Sequence, residues 1–200
     1  MTGKNIKKLN LLNIVHSSED IQEKVRCIRN EPQIRKWMYT DHLISKDEHK
    51  NWIERLRNES RNFVYVVMND YDEPIGVVSV NSIDLKNKKG DWAYYLTANT
   101  RTGIGAVLEF FVIDYVFNYL HLEKLNCEVI EYNDTVVRLH EKFGFKQEGF
   151  RESNIIKDDK RFGVYYFGLT KEKWMLTREC LKNKYYKLFS QYAVDFWGDK

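Results

Sequence analysis

The stretch TRTGIGAVLEFFVIDYVFNYL, Thr100 to Leu120, runs from a Gly-x-Gly straight into a long apolar helical pattern. Glycine in a helix interior costs roughly 1 kcal/mol relative to alanine, so Gly103 and Gly105 at a helix start imply a backbone that something must approach closely. The run DWAYYLTAN, Asp91 to Asn99, reads as the strand before it. A strand that turns through glycines into a helix leaves several amide N–H groups free at the helix start, with the positive end of the dipole behind them. An anion such as a phosphate fits there, although a tight strand-to-helix turn needs the same glycines. The loop is neither a Walker loop, since no Gly-Lys-Ser/Thr follows, nor a dinucleotide fingerprint, since the third glycine and an early βαβ context are missing.

Around this anchor the pattern is mixed. KKLNLLNIV reads as a strand, and SSEDIQEKVRCIRN as a helix started by serine and an acidic first turn. SKDE at Ser45 opens a second helix that carries Trp52, Ile53 and Leu56 at helical spacing. RNFVYVVMN and IGVVSVNSIDL form a hairpin across DYDEP, and DWAYYLTAN completes a meander. After the long helix come the strand KLNCEVIEY, a short helix from Asn133 to Phe143, and two strands joined by KDDK. Hairpins first and crossover helices later argue an α+β, mixed α/β fold with one mainly antiparallel sheet flanked by helices. Residues 1–170 are expected to form one domain. The segment 171–200 is expected to be an appended amphipathic helix, with Trp174, Leu181, Tyr185, Leu188 and Tyr192 spaced by about three or four. Packing on its own domain, contact with a second subunit and a membrane-surface role are the readings for it.

Two hundred residues fit one domain with its own core, and a net charge of +3 is too small to argue for nucleic acid. Cys27, Cys127 and Cys180 are odd in number and lack CxxC spacing, so neither a disulfide framework nor a zinc site is expected. No metal is expected at all. The N-terminal residues lack the apolar run of a signal peptide, and no window nears the ~20 apolar residues that span a bilayer. We therefore expect a cytoplasmic protein without membrane insertion, and leave a homo-oligomer open.

The second informative run is EYNDTVVRLHEKFGFKQEGF. Together with the Gly-x-Gly loop some 30 residues earlier, its pattern of Asn133, Val136, Leu139, His140 and Gly144-Phe145 resembles the Gcn5-related N-acetyltransferase (GNAT) superfamily over about Leu9 to Leu169. The resemblance implies two middle strands that splay apart, Trp92 to Thr97 and Leu125 to Glu131, with acetyl-CoA as cosubstrate in the gap. It implies that Leu96 and Thr97 offer backbone groups to the pantetheine arm, and that Arg101, Thr102, Gly103, Gly105 and Ala106 hold the pyrophosphate. Asn133 would cap its helix and touch the pantetheine arm, and Val136 belongs to the same cofactor-binding set. Thr100 stands where the superfamily often has Gln or Arg, and Arg101 next door supplies the charge.

Acetyl transfer needs a neutral amine, a donor for the oxyanion and a proton for the departing thiolate. The resemblance places a tyrosine beside the sulfur in many members, and His140 holds that position here; a histidine gives a proton to a thiolate readily. The amide N–H around Leu96 is left for the oxyanion. Glu128 and Glu131 lie on the strand bordering the acceptor, and Glu128, nearer the middle of the gap, is the candidate base, shielded and with a raised pKa.

RCIRNEPQIRKWMYTDHLISKDEHKNWIERL brings Arg29, Trp37, Met38, Tyr39, His49 and Trp52 into two helices, a set that suits a planar base and a diphosphate. With NSIDLKNKKGDWAYYL and VVRLHEKFGF it resembles the N-acetyltransferases of pseudaminic acid biosynthesis. That branch implies a nucleotide-sugar partner, UDP-4-amino-4,6-dideoxy-N-acetyl-β-L-altrosamine, acetylated on its 4-amino group. Met38, Tyr39, Trp52 and Trp92 would hold the nucleotide, with His49 and Arg29 near the diphosphate or sugar. Acetylation of a protein N-terminus, as in the ribosomal-protein branch, and a CoA-binding module without turnover are the other readings.

Overall fold

The computed structural model describes residues 6–100 and 103–197. In chain order the elements are β1 (Lys7–Asn13), α1 (Glu19–Arg29), α2 (Pro32–Arg35), α3 (Lys46–Arg57), β2 (Phe63–Met68), β3 (Pro74–Asp84), β4 (Lys89–Leu96), α4 (Ile104–Asn118), β5 (Lys124–Ile130), α5 (Asp134–Lys142), β6 (Lys146–Lys157), β7 (Lys160–Thr170), α6 (Lys171–Lys184), α7 (Tyr186–Phe189) and β8 (Tyr192–Trp197). The expected serine caps form: Ser18 Oγ accepts from the Ile21 amide at 3.4 Å and Ser45 Oγ from the Glu48 amide at 3.2 Å.

One sheet runs in the order β6-β7-β5-β4-β3-β2-β1-β8. Its pairings are antiparallel except for β4 with β5 and β1 with β8. A parallel pair needs a crossover, and α4 supplies the one between β4 and β5. Alternation along β2 divides the core in two. Tyr65 and Val67 join α4 on one face, while Val64, Val66 and Met68 join α1 and α3 on the other. α4 is apolar almost all round and is buried accordingly, from Val107 to Phe117.

The chain beyond Thr170 departs from the expectation of a single appended helix. α6 stops at Lys184, a short turn of helix follows, and β8 then adds to the sheet edge in register with β1, Lys7 opposite Tyr192. Trp174, Leu181 and Phe189 enter the main core, and Phe196 stacks on Tyr115 of α4 at 3.8 Å between ring centroids. The segment covers the outer side of α4, which explains why that helix has no polar face. Among the described residues no helix is long and apolar enough to cross a membrane.

Candidate active site

β4 and β5 pair only through Lys89–Asp91 and Lys124–Asn126, and a side-chain bond from Asn126 to Asp91 at 3.1 Å closes the root of the pairing. Beyond it the strands diverge, where the expected splay begins, and a cleft of about 650 Å³ opens between them. Its walls include Tyr94, Leu96, Cys127 and Glu128, with Asn133, Val136 and His140 of α5 and the turn bearing Met38 and Tyr39.

The two strand residues expected to offer backbone groups behave differently. The Thr97 amide donates to Ile75 O at 2.8 Å, and Thr97 O accepts from the Thr100 amide at 2.9 Å, so both groups are engaged within the fold. Successive strand residues turn their amides to opposite sides, which directs those of Leu96 and Tyr94 away from β3 and into the gap. The Leu96 amide thus faces the gap, and the Thr97 amide faces β3. The strand also ends at Leu96 rather than Asn99.

Gly103 caps α4 with φ +101°, a left-handed conformation that a side chain strains, and a Cβ there would come 2.8 Å from Leu188 Cδ1. At Gly105 a Cβ would meet the Tyr94 hydroxyl at 3.1 Å. Both glycines thus answer to close packing on their own fold. Among the described residues no side chain caps this helix and its first turn carries no acid, so the amides of Ile104, Gly105 and Ala106 stay available to an anion. Arg101 and Thr102 lie outside the described residues. Asn133 sits at the N-cap of α5, but its side chain makes no cap hydrogen bond there, contrary to expectation; it lines the cleft.

His140 borders the cleft from below, 3% exposed, among the rings of Trp92, Phe145 and Phe167. Its Nδ1 lies 2.8 Å from Oε1 of Glu109, a fully buried carboxyl on α4. Burial pushes the Glu109 pKa up, and only His140 opposes that. Glu109 escaped the sequence reading, although α4 from Ile104 to Phe117 is apolar but for two acids, Glu109 and Asp114, which was signal enough to find it.

Glu128 is exposed, so the shielding expected for it is absent. It stands across the same cleft and accepts a hydrogen bond from the Tyr39 hydroxyl. Burial, and then Glu128 itself, push the Tyr39 pKa up, so the phenol keeps its proton and donates it. Trp37, Met38 and Tyr39 occupy the turn after α2, not the helix foreseen for them. Two groups hold this turn from outside. Lys157 Nζ donates to Arg35 O at 2.9 Å and Met38 O at 2.6 Å, and the Tyr132 hydroxyl donates to Lys36 O at 2.6 Å. Nothing in the local sequence around Lys157 or Tyr132 announces these partners.

The six expected acceptor residues divide. Met38 and Tyr39 border the cleft just described, whereas Arg29, His49 and Trp52 line a second cavity of about 560 Å³ between α1, α3 and the sheet. Val77, Ser79 and Tyr95 border both, so the two spaces adjoin. Arg29 Nη2 is bonded to Thr40, but its Nη1 and His49 Nε2 are buried without a hydrogen-bond partner among the described residues. Burial lowers the pKa of both groups. Trp92 is corrected: at 2% exposure, with its ring between those of Tyr94 and Phe145, it has no face to give a base and forms the floor of the cleft. Among the described residues no group of three His, Cys, Asp or Glu is placed to hold a metal ion.

A family profile described as Acetyltransferase (GNAT) domain matches residues 10–146. The SPbeta prophage-derived N-acetyltransferase YokL of Bacillus subtilis strain 168 is 28% identical over 135 residues, 66% of this chain and 75% of its own length. Acetyltransferase PseH of Campylobacter jejuni serotype O:2 is 28% identical over 138 residues, covering 69% and 78%. In fold the chain is similar to spermidine N-acetyltransferase of Vibrio cholerae, solved with CoA and spermine, with a TM-score of 0.76, 18% identity, and 84% of this chain and 98% of that one covered. With β4 and β5 splayed over the start of α4, the chain belongs to the GNAT acetyltransferase family and is an acetyl-CoA-dependent N-acetyltransferase.

Proposed function

We propose that this N-acetyltransferase acetylates the amino group of a nucleotide-linked amino sugar, the 4-amino group of UDP-4-amino-4,6-dideoxy-N-acetyl-β-L-altrosamine in pseudaminic acid biosynthesis. One observation carries the choice: beside the Trp52 ring, the cavity adjoining the cleft holds a buried guanidinium nitrogen and a buried imidazole nitrogen without partners. The unpaired Arg29 guanidinium nitrogen is a buried donor, which favours a ligand that brings acceptor oxygens, as a diphosphate does, and disfavours a polycation such as spermidine. The similarity to PseH supports the same reading.

The site fits acetyl-CoA through features of this chain. The uncapped start of α4 is an anion seat, and the amides of Leu96 and Tyr94 line the gap. When bound, acetyl-CoA supplies an activated acyl carbon. Glu128 takes the proton of the attacking amine, directly or through water, and Tyr39 holds its carboxylate over the cleft. His140 gives a proton to the departing sulfur. Leu96 N–H serves the developing oxyanion.

The test is thiol release from acetyl-CoA with a UDP-linked 4-amino sugar, spermidine and an N-terminal peptide as competing acceptors. We expect kcat/KM for the nucleotide sugar to exceed the others at least a hundredfold, and Arg29→Gln to raise its KM about tenfold. A preference for spermidine or peptide overturns the assignment. Gly105→Glu is expected to abolish acetyl-CoA binding, and intact binding would remove the α4 start from the site.

A further inference from the structure

Glu109 is a fully buried acid in the middle of an apolar helix, and the acetyl transfer just outlined makes no use of it. Desolvating a carboxylate is costly, so its one side-chain hydrogen bond among the described residues, 2.8 Å from His140 Nδ1, has to account for its presence. The neighbours supply no compensating charge. Tyr94 from β4 and Cys127 from β5 both face Glu109, and burial pushes the pKa of each up, which keeps them neutral. The second carboxyl oxygen, Oε2, is buried without a hydrogen-bond partner among the described residues.

These facts constrain the protons of the pair. With one shared proton the pair carries a net charge of −1 in a closed apolar site, whereas with two it is neutral overall. The neutral pair has two arrangements, carboxylate with imidazolium or carboxylic acid with neutral imidazole, and in both of them Nε2 bears a hydrogen. We propose that Glu109 is a positioning residue that holds the His140 imidazole by Nδ1, so that Nε2 keeps its hydrogen and presents it to the cleft. This role rests on the reading of His140 as proton donor and explains how a histidine does the work. On donation the Nε2–H bond breaks, its electron pair stays on nitrogen and an S–H bond forms. The proton left in the pair resides on Nδ1, bound to the Glu109 carboxylate. The pair goes from neutral to −1 while the thiolate goes from −1 to neutral. A glutamine keeps the shape of Glu109 but has no acidic proton to hold for Nδ1.

The direct test needs no acetyl-CoA. In protein labelled with ¹⁵N-histidine, two-bond ¹H–¹⁵N spectra should find His140 Nε2 protonated from pH 6 to 8, and an unprotonated Nε2 over that range overturns the proposal. The kinetic test is a double-mutant cycle. Glu109→Gln should lower kcat about tenfold with acetyl-CoA affinity unchanged, and should cost less than twofold in the His140→Phe background. Retained kcat, or the same loss in both backgrounds, overturns the role of Glu109. Unchanged kcat in His140→Phe alone is a different failure: it removes the donor reading, while the ¹⁵N spectra still decide what Glu109 does to the ring. Should Glu109→Gln fail to fold, the wild-type spectra decide.

Discussion

The Glu109–His140 pair and the Tyr39–Glu128 pair border the same cleft, yet the first is sealed from water and the second is open to it, with Tyr39 44% exposed. The sealed pair joins two helices through the core, so its geometry is held by packing around it. The open pair joins a strand to an irregular turn that is itself held by Lys157 and Tyr132. A polar contact in a low-dielectric interior is strong when made and costly when broken, whereas an exposed one is worth little either way. On the proposed reading, the rigid part of the fold carries the proton donor to the departing sulfur, and the adaptable part carries the groups that meet the acceptor.

Four measurements break or sharpen this contrast. The largest effect is expected for His140→Phe, a fall in kcat of at least tenfold with little change in acetyl-CoA affinity; unaltered turnover would mean that the sealed side has no chemical part. Lys157→Met leaves two half-buried carbonyls without their charged donor, worth about 1.5 kcal/mol locally, and should raise the acceptor KM roughly fivefold. If the acetyl-CoA KM rises equally, the turn is not separable from the core. Third is stability against pH in Glu109→Gln. The folded pKa of Glu109 is raised, so its contribution to stability is full below its unfolded value and is lost as pH rises through the folded one. The variant's melting temperature should therefore gain on wild type as pH goes from 5 to 8, by about 2–4 °C. A constant difference would show that the carboxyl does not titrate against folding. The smallest effect belongs to Tyr39→Phe, which removes an exposed bond: a melting temperature within about 1 °C of wild type and a twofold to threefold loss in kcat/KM for the acceptor. A tenfold loss would place the open pair on a par with the sealed one.

Sequence patterns anticipated the parts of this structure that local chemistry decides. Ser18 and Ser45 cap their helices as hydroxyls before acidic first turns do, and Gly103 starts α4 in the left-handed conformation that glycine adopts freely. Features set by register or by distant partners were hidden. Which strand amides face the gap follows from the pairing of Thr97 with Ile75, so Leu96 and Thr97 look alike in sequence and part company in the sheet. β8 was concealed because Tyr185, Leu188 and Tyr192 continue a helical spacing, and its pairing with β1 spans almost the whole chain. Trp92 was read as a ligand contact because an aromatic in a strand does not reveal which face of the sheet it takes. Met38 and Trp52 were grouped by composition, and the fold assigns them to adjoining spaces.

Leu188 rests against the spot where a Cβ on Gly103 would sit, and Phe189 packs on Phe110 one helical turn beyond Gly105. A polypeptide shortened to end after Thr170 would retain every cleft residue named above and still surrender the backing of the helix start proposed to seat the pyrophosphate. Trimming, tagging or proteolysis at the tail should register first as weaker capture of the acetyl carrier, well before any loss of the amine-binding side.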